Sequence, residues 1–180
     1  GPANESAQTL SFLVSNNNAA LFAAPPAISP TGILTYTPAA NANGVATVVV
    51  KIQDNGGTAG GGVNTSAGQT FTIAVNPVND APSFTKGINV TVPEDSAAKS
   101  VPAWATAIKA GPPNESSQTV KFVVTHDNPA LFSVPPAISQ DGTLTFTPAR
   151  PSVNGVAKVT VRLSDDGGTA NSGQDTSVEQ

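Results

Sequence analysis

The chain has 180 residues, no cysteine, no methionine, one histidine and a net charge of −4. Disulfides, zinc sites and thiol nucleophiles are excluded, and eight scattered basic residues make no patch for nucleic acid. Without methionine there is no initiator residue, so the sequence reads as a fragment or processed piece of a longer chain. No apolar run in it is long enough to cross a membrane and no signal peptide is present, so membrane insertion of this piece is not expected.

Charged residues make up 11% of the chain, against about 25% in ordinary globular domains. Thr, Ser, Asn, Ala, Gly and Val take their place. That composition suits β-sandwiches with neutral hydroxyl faces, as in proteins outside the cell or on its surface.

From the first residues on, the hydrophobic period is two. Leu10, Phe12 and Val14 alternate with Ser11, Leu13 and Ser15, and Leu34 and Tyr36 with threonines. Ala46, Val48, Val50 and Ile52 share one face; Phe71, Ile73 and Val75 share another. Strands are then predicted over Thr85–Val92 and over Lys99–Ile108, which carries Trp104. Val120, Phe122 and Val124, then Leu144 and Phe146, then Val159, Val161 and Leu163 repeat the alternation. Turns fall at Pro30-Thr31-Gly32, Asp141-Gly142 and Asn154-Gly155. The run Gly60-Gly61-Gly62 reads as a long flexible hairpin loop. No stretch has helical spacing. Short, evenly spaced strands with Gly/Pro punctuation predict antiparallel Greek-key sandwiches.

The chain repeats itself. Gly1-Pro2-Ala3-Asn4-Glu5-Ser6-Ala7-Gln8-Thr9 returns as Gly111-Pro112-Pro113-Asn114-Glu115-Ser116-Ser117-Gln118-Thr119. Pro25-Pro26-Ala27-Ile28-Ser29 returns as Pro135-Pro136-Ala137-Ile138-Ser139, and Asp54-Asn55-Gly56-Gly57-Thr58-Ala59 as Asp165-Asp166-Gly167-Gly168-Thr169-Ala170. Apolar, turn and acidic positions match together, so two copies of one fold are expected, at residues 1–82 and 83–180. The first copy lacks its first strands and the second its last. Between them Asn76-Pro77-Val78-Asn79-Asp80-Ala81-Pro82-Ser83-Phe84 makes a stiff connector, because Pro77 and Pro82 hold φ near −65° and bias their predecessors to extended geometry.

This order of motifs, and the Asn79-Asp80-Ala81-Pro82-Ser83-Phe84 connector above all, resembles the cadherin-like repeats found in tandem in large bacterial surface and biofilm-associated proteins. The resemblance covers nearly the whole chain. It implies an all-β fold of tandem seven-stranded immunoglobulin-like (cadherin-like) Greek-key β-sandwiches, each copy incomplete at a chain end, with calcium stiffening the joints. It also implies an extracellular or cell-surface place and neighbouring repeats, or copies of the same protein, as partners. Residue by residue, Asn79 and Asp80 match the connector, Asp165 the acid that ends the sixth strand, and Glu115 the loop where the family carries Asp-x-Asp. Those four are expected to converge on calcium between the copies. Asp54, the partner of Asp165, and Glu94, after the first strand, would serve outer joints. The acidic triplet that the family places after its fifth strand is missing; Asn41, Asn43 and Arg150 stand in that region. The plain alternative is that Asp-Asn-Gly-Gly, Asp-Asp-Gly-Gly and Asn-Asp-Ala-Pro make turns and strand ends without metal.

Other chemistry finds little footing. His126 reads as a polar loop residue, and no Gly-x-Ser-x-Gly elbow or phosphate loop appears. Every carboxylate lies in a turn, and Trp104 and Tyr36 fit alternating core positions, so an enzyme is not expected. Acceptor triplets for N-glycosylation begin at Asn4, Asn64, Asn89 and Asn114. The reading that follows is a structural or adhesive repeat forming a rod or filament. Its alternatives are a filament subunit assembled by strand complementation, and a module binding cell-surface or matrix polysaccharide or a host receptor.

Overall fold

The computed structural model describes residues 5–180, so the acceptor at Asn4 lies outside the described residues. Among the described residues the regular elements are strands and three-residue 3-10 turns, and no helix is long and apolar enough to cross a membrane. The chain divides into two compact units, one up to Pro77 and one from Val78. The division falls shortly before the 82/83 boundary expected from the sequence, so Asn79 and Asp80 belong to the second unit.

The first unit holds β1 (Leu10–Asn16), β2 (Phe22–Ile28), β3 (Leu34–Pro38), β4 (Gly44–Asp54) and β5 (Gln69–Val75). One sheet runs β1-β4-β5 and the other β2-β3. The period-two alternation of β4 turns Ala46 and Val48 inward, where Leu21, Phe22 and Ile73 close over them and both become fully buried. Burying a side chain such as that of Val48 stabilises by roughly 1.5–3 kcal/mol, and the methyl of Ala46 adds less. Pro25 and Pro26 have no N–H to give a second neighbour, so β2 pairs with β3 alone, and its register shifts between Phe22 and Ala24 and again across the two prolines, between Ala24 and Ala27.

The second unit holds β6 (Ser83–Thr85), β7 (Lys99–Val101), β8 (Thr106–Lys109), β9 (Val120–His126), β10 (Phe132–Ile138), β11 (Leu144–Pro148) and β12 (Val159–Asp165). Its sheets are β10-β11-β7, β12-β9 and β6-β8. Ala105, Ile138, Leu144, Phe146 and Val161 form the core. The two units share their registers: Val120↔Asp165 repeats Leu10↔Asp54, and Phe132↔Pro148 repeats Phe22↔Pro38.

Several sequence expectations are corrected. Of the predicted strand over Thr85–Val92 only Thr85 lies in a strand, as the last residue of β6 (Ser83–Thr85), and Lys86–Val92 joins no ladder. The predicted strand over Lys99–Ile108 breaks in two around Ala103, whose φ is 53°, and Trp104 sits in the break, half-buried, its Nε1 donating to the Ile88 carbonyl at 3.0 Å. Tyr36 and Leu34 are exposed rather than core: among the described residues β3 pairs with β2 alone, and Tyr36 meets Phe22 edge-on at 5.9 Å. The Gly60-Gly61-Gly62 run is a tight turn closed by Gly62 N–H on the Ala59 carbonyl. His126 ends β9, half-buried, with its ring edge-on to Phe132 at 5.1 Å.

Candidate functional site

The residues that the sequence singles out meet around Asn79. Both its flanks come from the β9–β12 pair of the second unit. Asp165 is the last residue of β12, opposite Val120 at the start of β9. The loop before β9 makes a 3-10 turn at Pro113–Glu115, with Pro112 and Pro113 setting its entry. The loop after β12 turns through Gly167 and returns along β12 by Thr176. The connector passes between these loops.

Asn79 is bonded on every side. Its Nδ2 donates to Asp165 Oδ1 at 2.9 Å and to the Gln174 carbonyl at 2.7 Å. Its Oδ1 accepts from Gln118 Nε2 at 2.7 Å, and its carbonyl accepts from Gln174 N–H at 2.9 Å. Asp165 Oδ1 also takes the Gly167 N–H at 2.9 Å. A side chain at Gly167 would overlap Asn79 Oδ1, so the socket needs glycine there. The next residue is held by its backbone: Asp80 N–H lies 3.1 and 3.3 Å from the two oxygens of Glu115. An asparagine suits this place because its amide offers two donors and an acceptor at one short reach.

Glu115 and Asp165 are both buried, and neither faces a basic group; the ion pair among the described residues is Arg162–Glu179. Burying a carboxylate is costly unless bonded, and here N–H groups of the connector and the Gly167 loop supply the bonds. Two acceptors stay without a partner: Asp165 Oδ2 and Gln118 Oε1, both buried beside Asn79.

The structure thus brings together Asn79, Glu115 and Asp165, and with them only the backbone of Asp80, whose side chain is exposed. Asp54 takes the Gly56 N–H at 2.8 Å in the first unit, and Glu94 accepts weakly from Asn154 at 3.4 Å; neither joins the cluster. In kind, the donors fit a hard cation: they are oxygens, two groups are anionic, and two atoms are orphaned. In number they fall short of the six to eight that calcium takes. No group of three or more His, Cys, Asp or Glu among the described residues is placed to hold a metal ion. The Asn79 amide nitrogen donates to Asp165 Oδ1. Sequence reasoning missed Gln118, Gln174 and Gly167. The return of Gln8 as Gln118 in the repeated Asn-Glu-Ser-x-Gln run was the available signal.

Two further carboxylates are perturbed. The Thr119 hydroxyl and then its N–H hold Asp166 below the ordinary carboxylate value. The Ser139 hydroxyl, then the Thr143 N–H and hydroxyl, do the same for Asp141. Both are turn locks on exposed loops. Compared with family models, with curated proteins and with solved structures, the chain matches none.

Proposed function

We propose that the chain is a structural repeat module of a large extracellular or cell-surface bacterial protein, built from tandem immunoglobulin-like, cadherin-like Greek-key sandwiches. Its work is mechanical: it joins and spaces neighbouring repeats. The observation that carries this reading is the Asn79 lock, which ties the connector into the second unit by side-chain and backbone bonds at once. The two shared registers and the resemblance of the connector support it. Single-molecule pulling on the chain tests it. Asn79→Ala is expected to lower the unfolding force of the second unit and leave that of the first unchanged. Equal forces in wild type and variant would remove the lock as a mechanical element.

Calcium at the lock is a second reading, favoured by the two orphaned oxygens of Asp165 and Gln118. Glu115, Asp165 and Gln118 would hold the ion, with water completing the shell and the Asn79 amide turned to present its oxygen. Calorimetric titration with calcium should then saturate at one site and go flat in Asp165→Asn. A flat titration of the wild-type chain leaves the hydrogen-bonded lock alone. Adhesion to polysaccharide or a host receptor stays as the alternative role, for which a glycan array is the direct screen.

A further inference from the structure

An apolar groove of about 740 Å³ opens along the second unit between β12 and the segment Lys86–Val92. Val92, Trp104, Phe132, Phe146, Val159 and Val161 line it, and Gln180 stands at its end. The first unit shows what such a place holds. There β5 lies antiparallel on β4, from Val50↔Gln69 to Gly44↔Val75, and its Ile73 is buried in the core between the sheets.

Two observations say what the groove takes. The first is continuity of the ladder. Gln180 and Val161 exchange both backbone bonds, at 3.0 and 3.2 Å, which repeats the Val50↔Gln69 pair that begins the β4–β5 ladder. From that pair the first unit carries its ladder on to Gly44, whereas β12 starts only at Val159 and Gly155–Lys158 is irregular. The second is the opposite wall. Lys86–Val92 joins no ladder, yet it keeps the alternation of Ile88, Val90 and Val92. A strand lying in the groove would find the edge of β12 on one side and this alternating apolar wall on the other.

We propose that this groove binds an extended polypeptide strand, antiparallel to β12, with a large apolar residue at every second position, in the pattern of Phe71, Ile73 and Val75. The inference deepens the repeat-module reading and rests on it. Specificity comes from the pleat: alternate side chains enter the apolar slot while the backbone extends the sheet.

The test uses the whole chain and a soluble peptide with the sequence of Gln69–Val75, read by amide hydrogen exchange and by emission of Trp104. Saturable binding should slow exchange at Val156–Val161 and at Lys86–Val92 together, and shift Trp104 emission to the blue. A peptide with Ile73→Asp should bind about tenfold or more weakly, since a charge enters an apolar slot. Several outcomes would overturn the proposal: no slowing at either edge, equal binding by the Ile73→Asp peptide, or groove protection without peptide through a second copy of the chain. Since the peptide variants leave Asn79 untouched, failure here and failure of the pulling experiment are separate results.

Discussion

The two units repeat one sequence pattern and one strand register, yet they bury opposite ends of the same strand. In β4 the covered end is Ala46 and Val48, both fully buried, while Ile52 near the far end is 38% exposed. In β12 the order reverses: Leu163, the counterpart of Ile52, is fully buried, and Val159, the counterpart of Val48, is only partly so. The facing sheet tells the same story. Leu34 and Tyr36 are 37% and 42% exposed, and their counterparts Leu144 and Phe146 are 7% and 8% exposed. The reason is local cover. β5 lies on the early half of β4, while β7 pairs with β11. Alternation selects which side chains face inward, and the neighbour selects which of those leave water.

The largest way to break this comparison is in the core. Leu163→Ala should destabilise the second unit by about 2–5 kcal/mol. Ile52→Ala, at the matching place, should cost the first about 1 kcal/mol or less. Urea denaturation followed by residue-level hydrogen exchange separates the two units. Equal losses would mean that burial differs less than the structure shows.

The matched turns make the next test. Gly32 and Gly142 have φ of 85° and 84°, a left-handed conformation that costs other residues strain. Around a side chain at Gly32 there is open space, whereas one at Gly142 would overlap the Ala105 carbonyl. Gly32→Ala should therefore cost about 1 kcal/mol, the backbone strain alone. Gly142→Ala should cost about 3 kcal/mol, since overpacking adds roughly 1–3 kcal/mol. Thermal unfolding of both variants checks the difference.

The lock comes third. Asn79→Ala leaves Asp165, Gln118 and Gln174 short of partners and should cost the second unit about 1–3 kcal/mol. Asp54→Ala in the first unit removes only the bond to Gly56 and should cost about 1 kcal/mol at most. Exchange rates at Val120 and Asp165, against those at Leu10 and Asp54, read the two effects.

The smallest effect is in pH. Asp141 and Asp166 stand where the first unit has Thr31 and Asn55, which do not titrate. Both carboxyls are lowered from 3.8 in the folded chain. Their contribution is therefore complete above that value and is lost as pH falls through the lower folded values. On acidification below about pH 4 the second unit should soften slightly through these turns and the first should not. Unfolding midpoints of Asp166→Asn, compared with wild type at pH 6 and pH 3, should converge at the lower pH.

Much of this was legible in the residues. Period-two alternation placed β1, β3, β4, β5, β9, β11 and β12, because an apolar residue at every second position has one stable use, a half-buried strand. The duplicated motifs predicted two copies of one fold; the equal registers came from the structure, where matching turns set where pairing begins. The acids around Asn79 were legible by type. The Asn79 amide as their hub was not, because a hydrogen-bond partner far along the chain leaves no periodic mark. Lys86–Val92 has the same alternation as a true strand and is none, for a strand exists only when another edge is there to pair with it.

By itself the sequence determined the all-β class, the duplication, and the faces of the strands that turn inward. These follow from side-chain size, polarity and spacing, which are properties of neighbouring residues. Only the tertiary structure decided which of two matching strands is covered, and at which end. It also decided that Glu115 and Asp165 bury beside a connector asparagine while Asp54 and Glu94 stay apart. Burial and hydrogen bonding are settled by contacts between distant segments, and identical local patterns take different values when the segments beside them differ.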